Sequence, residues 1–201
     1  MEGTAMQEEV TRLRIFVASP GDVLDERERL RLVVEELNRT LADSLGHSLE
    51  LLDWCDIVPS MGRPEQVILD QLEWDAWDVF VGMLWTRFGT PPGIGESFLS
   101  GTEEEFTLAY QVWKKTGRPQ ILFYRCLRPI PISIDTAQLQ QVHEFFKEFE
   151  YSGTYPGLYR TYRALEDFER RVREDLTRLV FDYSEEQVLA THQPELAKQI
   201  A

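Results

Sequence analysis

This sequence predicts an α/β fold, flavodoxin-like, with a five-stranded parallel sheet in the order 2-1-3-4-5 and helices on both faces. Three observations predict it. Short β-prone apolar runs alternate with helical patterns along the whole chain. The run Asp78-Val-Phe-Val-Gly-Met-Leu-Trp85 is apolar without alternation, the mark of a parallel strand buried on both faces. A polar, glycine-rich loop then leads into a helix with Glu103, Glu104 and Glu105 in its first turn, which is where an open α/β sheet holds a ligand. Right-handed crossovers leave few topologies. In the order 2-1-3-4-5 the switch point falls between strands 1 and 3, so the loops after Ala18 and Trp85 should face one crevice.

The elements follow in order. Residues 1–11 read as a disordered lead-in. Arg14–Ala18 is the first strand, and Ser19-Pro-Gly-Asp22 is a turn. A helix follows to about Leu41, with Asp22 as its N-cap and Leu30, Val33, Val34, Leu37 and Leu41 on one face. Ser48–Asp53 is the second strand, and Trp54–Gly62 a loop. Pro64 opens a helix carrying Val67, Ile68, Leu69 and Leu72. After the third strand, the helix from Thr102 ends at Lys114-Lys-Thr-Gly-Arg-Pro119, with basic residues, glycine and proline as punctuation. Gln120–Tyr124 is the fourth strand. Thr136 to about Phe149 is helical, Leu158–Tyr162 a short fifth strand, and Leu165–Phe181 the last amphipathic helix, with Phe168, Val172, Leu176 and Leu179 inward. Ser184-Glu-Glu-Gln187 resembles a capping box that starts a tail helix. The expected organisation is thus a lead-in (1–11), one domain (12–183), and a helical tail (184–201).

Composition narrows the function. The chain has 201 residues and a formal net charge of −14, which disfavours nucleic acid because the basic residues do not cluster. No stretch approaches the roughly 20 apolar residues of a membrane span, and the acidic opening is no secretory signal. Two cysteines and three scattered histidines argue against a metal site or a disulfide framework, so a cytoplasmic location and no cofactor are expected. There is no P-loop, GxGxxG or GxSxG.

Three constellations carry possible chemistry. Ser19, Pro20, Gly21 and Asp22 at a strand end, with Glu26 and Arg27 in the following helix, suit an anion or a ribose hydroxyl, or form an ordinary strand-to-helix turn. Trp85 and Phe88 offer rings to stack and Arg87 a guanidinium for phosphate, or the rings pack under the loop and Arg87 makes an internal ion pair. Thr102-x-x-Glu105 matches a capping box, yet Glu105 shares a helical face with Leu108, Ala109 and Val112. It is therefore the glutamate expected to turn toward the sheet, with Glu103 and Glu104 exposed. The loop Gly89–Gly95 is poor as a phosphate cradle, since its prolines lack N–H donors, and reads better as a lid.

Arg14-Ile-Phe-Val-Ala-Ser-Pro-Gly-Asp-Val-Leu-Asp-Glu-Arg-Glu-Arg29 resembles the opening of the DUF4062 family of TIR-like domains. The same order and spacing continue in Asp78-Val-Phe-Val-Gly, Arg87-Phe-Gly-Thr-Pro, Ser100-Gly-Thr-Glu-Glu-Glu-Phe with Ala109, Gly117-Arg-Pro and Gly157-Leu-Tyr-Arg. The resemblance implies a TIR-like effector domain of a defence or cell-death sensor, activated by oligomerisation and joined to a downstream STAND- or NACHT-type module, which would make the tail 184–201 a linker. It implies NAD as substrate, cleaved at the nicotinamide–ribose bond, with Glu105 in the catalytic position because Glu105 and Ala109 match the Glu-x-x-x-Ala pattern of bacterial TIR domains. Ser19 falls where those domains carry a polar residue. The segment lacks the aromatic residue that often follows this serine. Two other readings stay open: a non-enzymatic self-association module, and a nucleoside deoxyribosyltransferase-like enzyme that also sets a carboxylate at a sugar.

Overall fold

The computed structural model describes residues 10–52, 77–91 and 98–200, with side chains described through residue 186. Five strands, β1 (Thr11–Ala18), β2 (His47–Leu52), β3 (Val79–Leu84), β4 (Gln120–Cys126) and β5 (Arg160–Tyr162), form one sheet in the order β2-β1-β3-β4-β5. Every pairing is parallel, with Ile15 opposite Val79 and Phe80 opposite Ile121. The predicted flavodoxin-like order is therefore observed. Among the described residues, four helices cover it: α1 (Leu24–Leu37), α2 (Gly101–Thr116), α3 (Thr136–Lys147) and α4 (Leu165–Ile200). The expected helix at Pro64–Leu72 and the loop before it lie outside the described residues.

Strand alternation divides the core in two. Leu13, Ile15 and Val17 of β1 and Val79, Val81 and Met83 of β3 face α1 and α4, meeting Leu30, Val33, Val172 and Leu176. Phe16, Phe80, Leu84 and Phe123 face α2 and α3, meeting Phe106, Phe145, Phe146 and Phe149. One face is largely aliphatic, the other aromatic. Gly82 makes the second possible: a Cβ there would lie 2.4 Å from the Phe123 ring, so the missing side chain lets that ring cross β3.

Three helix C-terminal ends differ from the sequence reading. α1 closes at Leu37 and passes through a π turn (Asn38–Ala42) and a 3-10 turn (Asp43–Leu45) to Gly46, whose φ of 72° needs glycine. α3 ends at Lys147, two residues early. No new helix starts at Ser184. Its hydroxyl donates to the Val180 carbonyl, a back-bond of a helix interior, and α4 continues unbroken to Ile200. Val180 is fully buried, with Leu179 only partly so. Tyr183 anchors this end by donating to the Asp78 carbonyl at 2.8 Å. Among the described residues, no helix is long and apolar enough to cross a membrane.

Candidate functional site

The loops after β1 and β3 meet at the switch point, held by one carboxylate. Asp22 Oδ2 accepts from Thr86 N–H, Thr86 Oγ1 and Arg87 N–H, each at 2.9 Å. Asp22 is thus not the N-cap of α1. That position is Val23, without a side-chain bond. Three donors gathered on the neighbouring loop outweigh the single bond a cap would make. The other oxygen, Asp22 Oδ1, is buried and has no hydrogen-bond partner. Arg27 folds back on Ser19, with Nε donating to Oγ at 2.6 Å and Nη2 to the carbonyl at 3.0 Å. Pro20 is buried and Gly21 exposed.

Beyond Thr86 the chain separates the sequence candidates. Trp85 is half-buried, with the Arg128 guanidinium 4.5 Å from its ring centre. Arg87 is exposed. Phe88 is only 1% exposed and packs on Phe145 at 5.3 Å, so it has no free face for a ligand ring. Its position in a buried aromatic layer, invisible to local pattern, accounts for the difference. The Phe88 and Gly89 N–H groups both donate to Gln138 Oε1, which ties this loop to α3.

The N-cap of α2 sits two residues earlier than Thr102. Ser100 is the N-cap, accepting from Glu103 N–H at 3.1 Å, and Glu103 reaches back to accept from Leu99 N–H at 2.7 Å. This resembles a capping box built on Ser100 and Glu103, except that Glu103 reaches one residue past the N-cap, to Leu99 N–H. Thr102 is buried in the first turn, on a stripe with Phe106 and Ala109. Glu105 lies at the shoulder of that stripe and is half-buried, while Glu104 is only 7% exposed. The expectation that Glu104 is exposed and Glu105 the most inward of the three is therefore corrected. Periodicity reports only the face toward the sheet; the first turn is also flanked by the entering chain, where Gly101 N–H donates to the Thr90 carbonyl.

The sequence reading placed Glu26 beside the first turn but not its partners. Glu26 is fully buried, with Oε1 accepting from Arg128 Nη2 at 2.8 Å and from the Tyr162 hydroxyl at 3.0 Å. Its Oε2 has no hydrogen-bond partner, nor has Trp85 Nε1. Arg128 Nε donates to the Cys126 sulfur at 3.2 Å. Burial works against the Arg128 charge, but the Cys126 sulfur and the Glu26 carboxylate outweigh it and hold the guanidinium above its ordinary value. Burial, then the Glu26 charge, pushes the Tyr162 phenol far up, so it stays a donor. A signal was present. Glu26 stands four and seven residues before Leu30 and Val33, on the apolar stripe of α1, and a carboxylate there must find a buried partner.

The profile of the family described as "Domain of unknown function (DUF4062)" matches residues 14–177, most of the chain. The chain belongs to the DUF4062 family. No curated protein matches this DUF4062 domain. Among solved structures, an FMN-dependent NADH-azoreductase from Bacillus anthracis str. Ames Ancestor, in complex with FMN, is similar with a TM-score of 0.39 and 13% identity, over 85% of this chain and 99% of that one. At that distance the likeness says nothing of ligand or chemistry here. Among the described residues of the DUF4062 domain, no group of three His, Cys, Asp or Glu is arranged to hold a metal. At the carboxyl ends of β1 and β3 the DUF4062 domain carries the exposed Arg87 and the half-buried Trp85, residue types that suit a phosphate and a flat ring.

Proposed function

We propose that this domain is a TIR-like effector that cleaves NAD at the nicotinamide–ribose bond, with Glu105 as the catalytic carboxylate. The observation that supports it is the Asp22 clasp. It holds the loops after β1 and β3 together at the switch point, from which the chain enters α2 with its three successive glutamates. In this reading the C1′–N bond breaks with its electron pair going to the nicotinamide ring nitrogen, which neutralises the ring. The ribose gains oxocarbenium character. Glu105 hydrogen-bonds the ribose hydroxyls and stabilises that charge. Water adds at C1′ and releases one proton, giving ADP-ribose and nicotinamide. Arg87 holds the pyrophosphate, and Trp85 stacks on a ring. Arg27 acts through Ser19, as a brace of the crevice wall. The domain works within a larger defence or cell-death sensor, whose assembly completes the site.

The test is NAD consumption by artificially clustered protein, with Glu105→Gln, Glu104→Gln and Arg87→Ala beside the wild type. Loss only with Glu105→Gln, and a weaker affinity with Arg87→Ala, is expected. Cleavage of deoxynucleosides with NAD untouched would instead assign the deoxyribosyltransferase-like chemistry. A second reading, self-association without catalysis, is favoured by exposed apolar surface away from the crevice: Ile132 and Leu158 are almost wholly exposed.

A further inference from the structure

We infer that copies of this chain associate head to tail, the proline-rich segment Pro129–Ile132 of one copy lying in an aromatic groove at the outer edge of β4 of the next. The inference rests on the self-association in the proposed reading and gives it a surface.

The groove comes from a short strand. β5 pairs only with Tyr124, Arg125 and Cys126, so among the described residues no strand covers the other half of β4 on that side. Leu127 N–H donates to the Tyr162 carbonyl, which fixes the alternation. Ile121 and Phe123 therefore turn backbone hydrogen-bonding groups to the open edge. Two cavities, of about 360 and 320 Å3, run along it and share Ile121 and Leu158. The second is walled by Tyr110, Trp113, Tyr155 and Pro156. Tyr110 lies 5.5 Å from Trp113 and 5.0 Å from Tyr155, ring centre to ring centre. Leu158 is 97% exposed at its rim.

The complementary piece is on the same chain. Arg128-Pro-Ile-Pro-Ile132 leaves β4 at its other end, with Ile130 46% and Ile132 fully exposed. Prolines pre-set an extended backbone, so docking such a segment costs little order, and aromatic-lined grooves are the surfaces that accept it. Charge favours the same match. The segment runs into Asp135, fixed by accepting from the Ala137 and Gln138 N–H groups. The exposed Lys114, in the last turn of α2 with Lys115 beside it in sequence, sets its ammonium 5.9 Å from the ring centre of the groove's Tyr110. For a chain of net charge −14, a contact that brings a carboxylate to a basic turn locally offsets the repulsion between copies.

The seven residues of β4 span roughly 23 Å at about 3.3 Å per residue. Groove and segment thus lie at opposite ends of the strand. The contact is heterologous and leaves one free groove and one free segment at the ends of any assembly.

Two variants separate the surfaces: Ile132→Asp removes the segment's anchor and Leu158→Asp spoils the groove. Both positions are exposed, so both variants keep the wild-type melting temperature. Sedimentation is followed up to about 1 mM, the range of the weakest specific contacts. The wild type should form a concentration-dependent series of oligomers, and each variant alone should stay monomeric. An equimolar mixture of the two should form a dimer that grows no further, since one copy supplies the groove and the other the segment. A wild type that stays monomeric at about 1 mM, or a mixture that stays monomeric while the wild type assembles, overturns the inference. Neither result depends on NAD, so loss of this contact and loss of catalysis are read separately.

Discussion

The two faces of the sheet are built on different physical principles. Toward α1 and α4, aliphatic side chains surround buried polar groups. Glu26 sits between Arg128 and Tyr162, and nearby Asp175 binds Arg160 in bidentate fashion at 2.7 and 2.5 Å while accepting from the Tyr124 hydroxyl at 2.8 Å. Toward α2 and α3, aromatic rings pack on one another, with Phe106 within 6.0 Å of Phe80, Phe123, Phe145 and Phe149. The first face depends on partners being present. The second depends on volume. A cavity is its characteristic injury, whereas an orphaned charge is that of the first.

That contrast sets the largest expected effect. Glu26→Ala leaves Arg128 without its carboxylate and should cost about 3–5 kcal/mol in denaturant unfolding. The double variant Glu26→Leu/Arg128→Met should recover most of the loss, since an apolar pair replaces a buried ion pair at little cost. Phe123→Ala should cost a similar amount, about 3–5 kcal/mol, by opening a cavity. Trimming a second side chain beside it should not rescue it, since only added volume closes a cavity. A Glu26 double variant no more stable than Glu26→Ala would show that the two faces do not differ in this way.

Asp22→Ala comes next. It leaves the Thr86 and Arg87 N–H groups without their acceptor, and about 1.5–3 kcal/mol should be lost. Hydrogen exchange at these two amides should rise together if Asp22 clasps the loops, and stay unchanged if it does not.

A gentler effect concerns pH. His47, at the start of β2, is 2% exposed, and burial lowers its pKa from the usual 6.5 while the Thr11 backbone partly opposes it. The unfolded chain takes up this proton more readily than the folded one. The stabilising contribution is therefore complete above pH 6.5 and falls as pH drops through it. His47→Gln should flatten the slope of stability against pH below that point by at most about 1.4 kcal/mol per unit, read from denaturant midpoints at several pH values. An unchanged slope would mean the imidazole protonates freely in place. Smaller still, Ser100→Ala should cost about 1 kcal/mol through the lost N-cap of α2.

The fold was legible because parallel-sheet strands announce themselves as apolar runs. Asp78–Trp85 and Gln120–Tyr124 are both central strands, and the alternation of strands and helices did the rest. Caps were less legible. Asp22 and Thr102 are good cap types, but a better offer existed for each position: Asp22 found three donors on a loop 64 residues away, and Ser100 supplied an earlier cap. Tertiary partners of this kind leave no local trace. Phe88 shows the same limit, since a loop aromatic reads alike whether it meets a ligand or Phe145. The Glu26 cluster was legible in part: the carboxylate stood on an apolar stripe, but its partner Arg128 lay a hundred residues on, in a loop that pattern alone does not fold back.

The central claim concerns one carboxylate on α2. The most direct test is nicotinamide release from NAD by clustered wild-type protein and by Glu105→Gln, with melting temperatures measured in parallel. The account predicts release by the wild type and its loss in Glu105→Gln, at a stability within about 1 kcal/mol of wild type. Equal release by the two proteins, or none from the clustered wild type, would contradict it.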